Sequence, residues 1–180
     1  VLHGIVFGDG SLTSKKTRTQ IYLCNDKKGA DKRKLSKYFE AAGYSGIKRD
    51  DIEQIRFYGL PVHWKELPDV TKVSKSYLLG FISGWFATDG HVSKHHDNLS
   101  ISSVKKENLE WLIKNGPSVG ITTSINPQER QGNTYSGFIK SFTVNISKNN
   151  VPSNFFIFDD KTLRGGTSKH MKYWTIRNIE

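Results

Sequence analysis

Two stretches of the chain have the pattern of apolar helices that carry a small residue at every fourth position. The first is LHGIVFGDG at residues 2–10, and the second is ISGWFATDG at residues 82–90. Each is followed by a polar run that leads into an apolar strand, which is the pattern of a two-stranded hairpin. Both end in Asp-Gly, and glycine favours the left-handed conformation that ends many helices. The chain is therefore predicted to repeat one structural unit.

The segments after the two hairpins also correspond, because each contains a basic helix followed by strands. The helices are predicted at residues 30–42 and 105–115, ended by Gly43 and by Gly116-Pro117. The strands are predicted at residues 52–58, 121–125 and 138–146, with a loop at Gln131-Gly132-Asn133. Each half reads αββαββ. The predicted fold class is α+β, with pseudo-symmetric halves at residues 1–75 and 76–180 and a linker around residues 69–75.

Asp9 and Asp89 end the two apolar helices against a local rule, because a helix C-terminus carries partial negative charge. Small residues spaced by four allow two helices to approach closely. These residues are Gly4 and Gly8 on one helix and Gly80, Gly84 and Thr88 on the other. If these faces pack together, the two carboxylates emerge side by side and repel unless a cation lies between them. Oxygen ligands with retained waters suit Mg²⁺, and such a site suits phosphodiester cleavage.

Charge indicates the class of partner. The 180 residues include 27 Lys and Arg against 17 Asp and Glu, so the formal net charge is +10. The basic residues are spread along the chain rather than gathered on one amphipathic helix, which favours nucleic acid over an anionic membrane surface. The single cysteine, Cys24, excludes a disulfide framework and a multi-cysteine zinc site.

The lengths and positions of the apolar runs indicate where the protein is located and whether the sequence is part of a longer chain. The longest, at residues 77–87, is far shorter than the ~20 residues of a membrane span. No signal peptide is visible, so an intracellular protein is predicted, in the cytoplasm or in the cytoplasm of a phage-infected host. The sequence begins without Met inside an apolar helical run, which suggests an excerpt of a longer polypeptide.

LHGIVFGDG and LLGFISGWFATDG resemble the two signature helices of the LAGLIDADG homing endonucleases. Two copies in one chain are similar to the monomeric members of that family. The resemblance implies a saddle of antiparallel strands over double-stranded DNA, and hydrolysis of both strands with Mg²⁺ or Mn²⁺. It implies that Asp9 and Asp89 bind the metal, assisted by the backbone carbonyls of Gly8 and Thr88. The sixth motif position is often Asp in the family and differs here, but it is not the metal ligand.

Two lysines carry a further resemblance, to the members that are borne by inteins. Lys65 begins Lys-Glu-Leu-Pro, 24 positions before Asp89, where such members carry a lysine. The partner lysine lies late in the second half, and Lys169 fits, with Lys172 as a competing choice. A lysine near the scissile phosphate can stabilise developing charge and help order the attacking water. The tail at residues 172–180 resembles the return to a splicing domain, so a fused intein domain is expected in the full protein.

Alternating strand side chains offer one face of each hairpin to the DNA major groove. Each candidate is individually more typical of a phosphate contact than of a base reader. The candidates in the first half are Lys15, Lys16, Arg18, Gln20, Arg49 and Arg56, and those in the second half are Lys94, His95, Asn98, Gln128, Arg130, Asn133, Tyr135 and Lys140. The sequence leaves open whether the basic run at residues 27–37 is a solvated helix face or flanks the DNA backbone.

Two other functions stay open at this point. One is an RNA maturase on the same fold, which binds intron RNA without cutting DNA. The other is a catalytically inactive nucleic-acid-binding module. The presence of both terminal acids and of at least one matching lysine favours the endonuclease.

Overall fold

The structure is a computed structural model that describes residues 1–24, 31–93, 98–134, 137–148, 151–152 and 154–157. The α-helices are α1 (Leu2–Asp9), α2 (Ser36–Ala41), α3 (Lys75–Asp89) and α4 (Lys106–Asn115). The strands are β1 (Ser11–Leu12), β2 (Thr19–Cys24), β3 (Ile47–Arg49), β4 (Gln54–Leu60), β5 (Gly90–Val92), β6 (Leu99–Ser103), β7 (Gln128–Thr134) and β8 (Gly137–Ile146). No helix in the described ranges is long and apolar enough to cross a membrane.

The strands form two four-stranded antiparallel sheets with the same internal order. The first sheet has the order β1-β2-β4-β3, and the second has the order β5-β6-β8-β7. Each sheet follows one long apolar helix and contains one helical insertion between its second and third strands, so each half is αββαββ. The predicted α+β class with two similar halves is confirmed. The exact division into residues 1–75 and 76–180 stays a prediction.

Several predicted elements differ from the structure. Residues 121–125 form no strand beyond an isolated bridge from Thr123 to Ile146. The predicted loop at residues 131–133 lies inside β7 instead. In the first half, the predicted strand at residues 52–58 is preceded by β3 and a 3₁₀ turn at Asp50–Ile52. The predicted helix at residues 30–42 is shorter, a 3₁₀ turn at Lys32–Leu35 followed by α2.

Helices α1 and α3 pack directly against each other between the two halves. A Cβ atom built on Gly4 would overlap the carbonyl oxygen of Phe81, and one on Gly84 would overlap that of Val1. The buried apolar residues form two clusters, the first core in the first half and the second core in the second half. Each helix contributes to both, because Ala87 of α3 belongs to the first core and Phe7 of α1 belongs to the second core. Each helix is apolar around most of its circumference because it is covered on several sides. The predicted close approach of the small-residue faces is confirmed at Gly4 and Gly84.

Gly10 and Gly90, which follow the two acids, are not left-handed as the sequence predicted. Their φ and ψ angles are −74° and 161°, and −75° and 153°, which is extended backbone. Each helix passes directly into a strand, and the glycine N–H still bonds the carbonyl four residues earlier, over 2.8 Å from Gly10 to Val6. A Cβ at Gly10 or Gly90 would overlap the carbonyl oxygen of Val6 or Phe86. Glycine is therefore required here for close packing rather than for its left-handed conformation.

His3 is a buried polar residue of α1 with both ring nitrogens bonded. Nδ1 lies 2.8 Å from the hydroxyl of Tyr77, and Nε2 lies 2.8 Å from the carbonyl oxygen of Glu66. Because a carbonyl only accepts, Nε2 carries the proton and Nδ1 accepts from Tyr77. Burial lowers the pKa of His3 from 6.5 to about 4. His3 therefore serves packing and polar contacts in the core.

The low pKa of His3 predicts a loss of stability in acid. Between about pH 6.5 and pH 4 the unfolded chain takes up a proton that the folded protein refuses, so stability is present above this window and is lost as the pH falls through it. The unfolding free energy of the wild type should fall by about 3 kcal/mol relative to that of His3→Gln from pH 7 to pH 4. Urea unfolding measures this difference. The exposed His91→Gln is the control and should track the wild type, whereas a constant difference between wild type and His3→Gln would contradict the prediction.

Candidate active site and nucleic-acid interface

Asp9 and Asp89 stand at neighbouring ends of α1 and α3. A Cβ atom built on Gly8 would lie 3.1 Å from Oδ2 of Asp89 and would overlap the hydroxyl of Thr88. Thr88 is buried, and its hydroxyl donates to the carbonyl oxygen of Trp85 at 2.9 Å. The glycine in α1 thus makes room for the larger residue in α3, and the last turns of the two helices meet. The structure brings together all four residues that were predicted as metal ligands.

The two acids differ in their surroundings. Asp89 Oδ2 accepts a hydrogen bond from the indole Nε1 of Trp85 at 3.0 Å. Burial, reinforced by the negative charge of Asp9, raises the pKa of Asp89 from 3.8 to about 6. The indole bond and the ammonium groups of Lys32 and Lys65 oppose this rise. The negative charge of Asp9 disfavours the ionised form of Asp89. A cation bound between the two carboxylates would remove this repulsion.

Lys32 is the nearest basic partner of Asp9. Its Nζ forms an ion pair with Asp9 Oδ2, and both side chains are about a quarter exposed. Lys32 opens the 3₁₀ turn that replaces the start of the predicted basic helix. The sequence missed this residue as part of the site, because nothing local distinguishes it from Arg33 and Lys34.

Lys65 is the second lysine whose charge acts on the two acids. Its ammonium group donates to the carbonyl oxygens of Val6, at 3.2 Å, and Phe7, in the last turn of α1. Burial lowers the pKa of Lys65, and the carboxylates of Asp89 and Asp9 counteract this. Lys65 and Asp89 line one cleft of about 620 Å³, whose far wall includes Ser102, Ser103, Lys105 and Asn108. The cleft is large enough to admit a phosphate group beside Asp89 and Lys65.

The donor set fits a hard divalent cation with few protein ligands. The described residues contain no cluster of three or more His, Cys, Asp or Glu that could enclose a metal. Two carboxylates are present, together with the last-turn carbonyls of Gly8 and Thr88, which have no partner within their helices. Mg²⁺ is commonly held by one or two carboxylates while waters and substrate phosphates complete its shell. The residues therefore fit Mg²⁺ or Mn²⁺ better than a zinc site.

Asp89→Asn should stabilise the metal-free protein. Because the pKa of Asp89 is raised when folded, its contribution to stability is present below about pH 4 and is lost as the pH rises through about 6. The asparagine carbonyl can still accept from Trp85. At pH 7.5 without divalent ions, we expect the unfolding free energy to rise by about 2 kcal/mol, and at pH 4 the gain should vanish. Added Mg²⁺ should reverse the order by stabilising the wild type alone. A metal-free variant less stable than wild type at pH 7.5 would contradict the prediction.

The outward face of the first sheet carries two of the predicted DNA contacts beside two tyrosines. Arg56 stacks over the ring of Tyr22 at 5.0 Å, and Tyr22 and Tyr58 lie edge to face at 6.0 Å. Arg49 shares this face, because its partner across β3 and β4 is Gln54, but two of its donors are bonded to Asp51. The remaining candidates of this half are exposed on the β1–β2 turn or lie on β2, and they are Lys15, Lys16, Arg18 and Gln20.

The second sheet presents a different outward face, lined by hydroxyl and amide groups. The strand register aligns Gln128 with Thr143 and Arg130 with Ser141, so the two candidates share one face with these hydroxyl groups. Lys140, which pairs with Gln131, is the neighbour of Ser141 along β8. Because successive strand residues face opposite sides of a sheet, Lys140 lies on the opposite face. Its ammonium group is 2.8 Å from Glu129 Oε2. Asn98 is exposed just before β6.

Four predicted site residues lie outside the described residues, and they are Lys94, His95, Tyr135 and Lys169. The competing Lys172, the tail at residues 172–180 and the side chain of Asn133 also lie outside them. Tyr22, Tyr58 and Trp85 were not predicted at the site. Alternation along β2 and β4 is the signal that would have placed the two tyrosines outward.

The second half matches a known protein family. Residues 76–151 match the model described as LAGLIDADG-like domain. The matched segment belongs to the second half of the chain. It contains most of α3 with Asp89, the whole second sheet and α4, whereas α1 with Asp9 precedes it and lies outside the matched residues. No curated protein matches the sequence.

Solved structures resemble the fold over most of the chain. Full-length DUF199/WhiA from Thermatoga maritima has a TM-score of 0.51 and 14% identity, over 83% of this chain and 50% of that one. The chain thus spans about half the length of that protein. I-DmoI in complex with DNA and Ca has a TM-score of 0.49 and 16% identity, over 82% and 81% of the two chains. I-DmoI in complex with DNA and Mn has a TM-score of 0.47 and 15% identity, over 82% of this chain and 88% of that one. The likeness to WhiA shows that both halves of the chain belong to one known fold.

Proposed function

We propose that the protein is a site-specific endonuclease that hydrolyses both strands of double-stranded DNA, acts as a monomer and depends on Mg²⁺ or Mn²⁺. The single observation that carries this proposal is the meeting of Asp9 and Asp89, each from one half of the chain. They meet where the last turns of α1 and α3 contact each other, which is called the α1–α3 seam below. A matched pair of acids suits a reaction on two DNA strands, with one half serving each strand. The match of residues 76–151 to the model of a LAGLIDADG-like domain supports nucleic acid as the substrate class.

Asp9 and Asp89 would hold the divalent ion, with the carbonyls of Gly8 and Thr88 as further oxygen donors. When bound, the ion would supply positive charge for the phosphate and acidify the attacking water. Hydrolysis adds the water oxygen to phosphorus, breaks one phosphorus–oxygen bond of the backbone, and leaves a proton on the departing oxygen.

Lys65 is placed to stabilise charge that develops on a phosphate. Its ammonium group is held by two backbone carbonyls of α1 and lines the cleft that Asp89 also lines. A cation fixed before the reaction needs no reorganisation when the phosphate gains charge. Lys169 is proposed for the equivalent role in the second half. The position of Lys65 in a Lys-Glu-Leu-Pro segment supports an origin within an intein.

The outward sheet faces would contact the major grooves on both sides of the cut. Arg56 suits guanine, and Gln20 and Gln128 suit adenine, while the exposed β1–β2 turn at residues 13–18 suits phosphates. The two faces are chemically unlike, one aromatic and the other rich in hydroxyl groups. The two half-sites of the target should therefore differ in sequence.

A cleavage assay tests the proposed function. The substrate is a plasmid that carries the uninterrupted insertion site of the host gene, and the control plasmid carries the interrupted site. With Mg²⁺ the first plasmid should become linear, and EDTA should prevent this. Binding of intron RNA without cleavage of either plasmid would indicate the maturase, and specific DNA binding without cleavage in Mg²⁺ or Mn²⁺ would indicate an inactive binding module.

A further inference from the structure

Lys32 is held at Asp9 by a turn that is anchored on both sides. Asp31 caps the turn by accepting from the backbone N–H of Arg33 at 3.1 Å, and it binds the guanidinium of Arg33 at 2.8 and 2.9 Å. At the other end of the turn, Leu35 is fully buried in the first core. The backbone of Lys32 is therefore fixed, and its ammonium group reaches Asp9 at the end of a flexible four-carbon side chain.

The other cation at the site does not replace Lys32. Lys65 donates to backbone carbonyls of α1, and Oδ2 of Asp89 is bonded by the indole of Trp85. Within the part of the chain that the structure describes, the direct ion pair of Asp9 is the one with Lys32. A divalent ion that uses Oδ2 of Asp9 must displace this ammonium group.

We propose that Lys32 is the resident counterion of Asp9, which an arriving divalent ion displaces, and that the released ammonium group then binds a DNA phosphate next to the site. The second part of this proposal rests on the proposed function. Two carboxylates with Lys32 and Lys65 have a combined charge of zero. A divalent ion raises this charge to +2, which equals in magnitude the charge of one phosphate from each strand. Metal and DNA should therefore strengthen each other's binding, by reciprocal coupling.

The first part can be tested without DNA, by Tb³⁺ luminescence. Trp85 touches Asp89, so its indole is placed to sensitise a lanthanide bound at the two acids, and Mg²⁺ should compete for the site. Removing the counterion with Lys32→Met should tighten Tb³⁺ binding about tenfold, the equivalent of one charge-assisted hydrogen bond. Trp85→Phe should remove the signal.

Lys37→Met is the matched control, because it removes the same charge from the exposed face of the following helix, where the ammonium lies over Tyr38. It should bind Tb³⁺ nearly as the wild type does. Lys32→Gln provides a second variant if Lys32→Met is unstable, and urea unfolding verifies that each is folded. Tb³⁺ binding by both Lys32 variants that is no tighter than that of Lys37→Met would overturn the proposal.

The second part is tested by measuring Ca²⁺ binding with and without a DNA duplex that has the sequence of the plasmid insert. The duplex should raise the affinity of the wild type for Ca²⁺. This gain in affinity should be smaller for Lys32→Met. Cleavage in Mg²⁺ should fall about 100-fold in Lys32→Met, because a phosphate ligand is lost. An equal gain in both proteins would overturn this part. A wild type that cuts no DNA would overturn the proposed function instead. The Tb³⁺ experiment tests the counterion role of Lys32 independently of that result.

Discussion

Asp9→Asn and Asp89→Asn are each expected to abolish DNA cleavage while leaving DNA binding intact. Asparagine keeps the size of the side chain but removes the charge that a divalent ion requires. The rate of double-strand cleavage should fall at least about 1,000-fold in each variant. Specific binding should be unchanged or slightly tighter, because a negative charge near the DNA backbone has been removed. Plasmid linearisation and a gel-shift titration measure the two properties on the same protein.

Glu110→Gln is the matched control for the acid variants. Glu110 lies in α4, outside the lining of the cleft, and its side chain is exposed, so the change is the same carboxylate-to-amide exchange away from the α1–α3 seam. It should cut DNA at the wild-type rate. Full cleavage by either Asp9→Asn or Asp89→Asn would show that the paired acids are not the catalytic centre.

Gly84→Ala is expected to destabilise the protein strongly, although alanine favours a helix by about 1 kcal/mol over glycine. A Cβ at this position would overlap the carbonyl oxygen of Val1 and lie 2.9 Å from the N atom of Ile5. Both are backbone atoms of the facing helix, so neither can rotate away. We expect a loss of about 2–4 kcal/mol in unfolding free energy, and a Tm lower by roughly 5–15 °C. Thermal unfolding followed by circular dichroism measures this shift.

Gly80→Ala controls for the propensity of the helix, since Gly80 lies one turn earlier in α3. A new Cβ at Gly80 would lie 3.0 Å from its nearest atom, the N atom of Val1, which is a tight contact but not the overlap at 2.1 Å that Gly84 would suffer. The Tm of Gly80→Ala should change by much less than that of Gly84→Ala. Equal changes in the two variants would show that the α1–α3 contact is looser than described.

The repeated αββαββ order was predictable because hydrophobic period and helix ends are local signals. The same is true of the seam, since small residues at spacing four indicate the close helix contact that Gly4 and Gly84 make. The conformation of Gly10 and Gly90 was not predictable, because Asp-Gly is compatible both with a left-handed stop and with the extended exit that the helix–strand junction demands. That choice depends on where the next strand pairs.

The predictions failed where tertiary contacts override local pattern. Residues 121–125 look like a strand, but Ile121 is buried in the second core, and only the last residues of β8, beyond the part that pairs with β7, face this segment, through one bridge. Lys140 and Arg130 look equivalent in sequence, and the strand register separates their faces. Lys32 is one of several neighbouring lysines, and its contact with Asp9 joins residues 23 positions apart in sequence. Spacing could not reveal this pair.

Anomalous diffraction from a crystal of the protein with Mn²⁺ and its target DNA most directly tests whether the two acids share a cation. The expected result is a manganese peak at the α1–α3 seam, within bonding distance of a carboxylate oxygen of Asp9 and of one of Asp89, with Lys32 turned away from Asp9. A seam without manganese, or manganese bound there by neither acid, would contradict the proposed endonuclease.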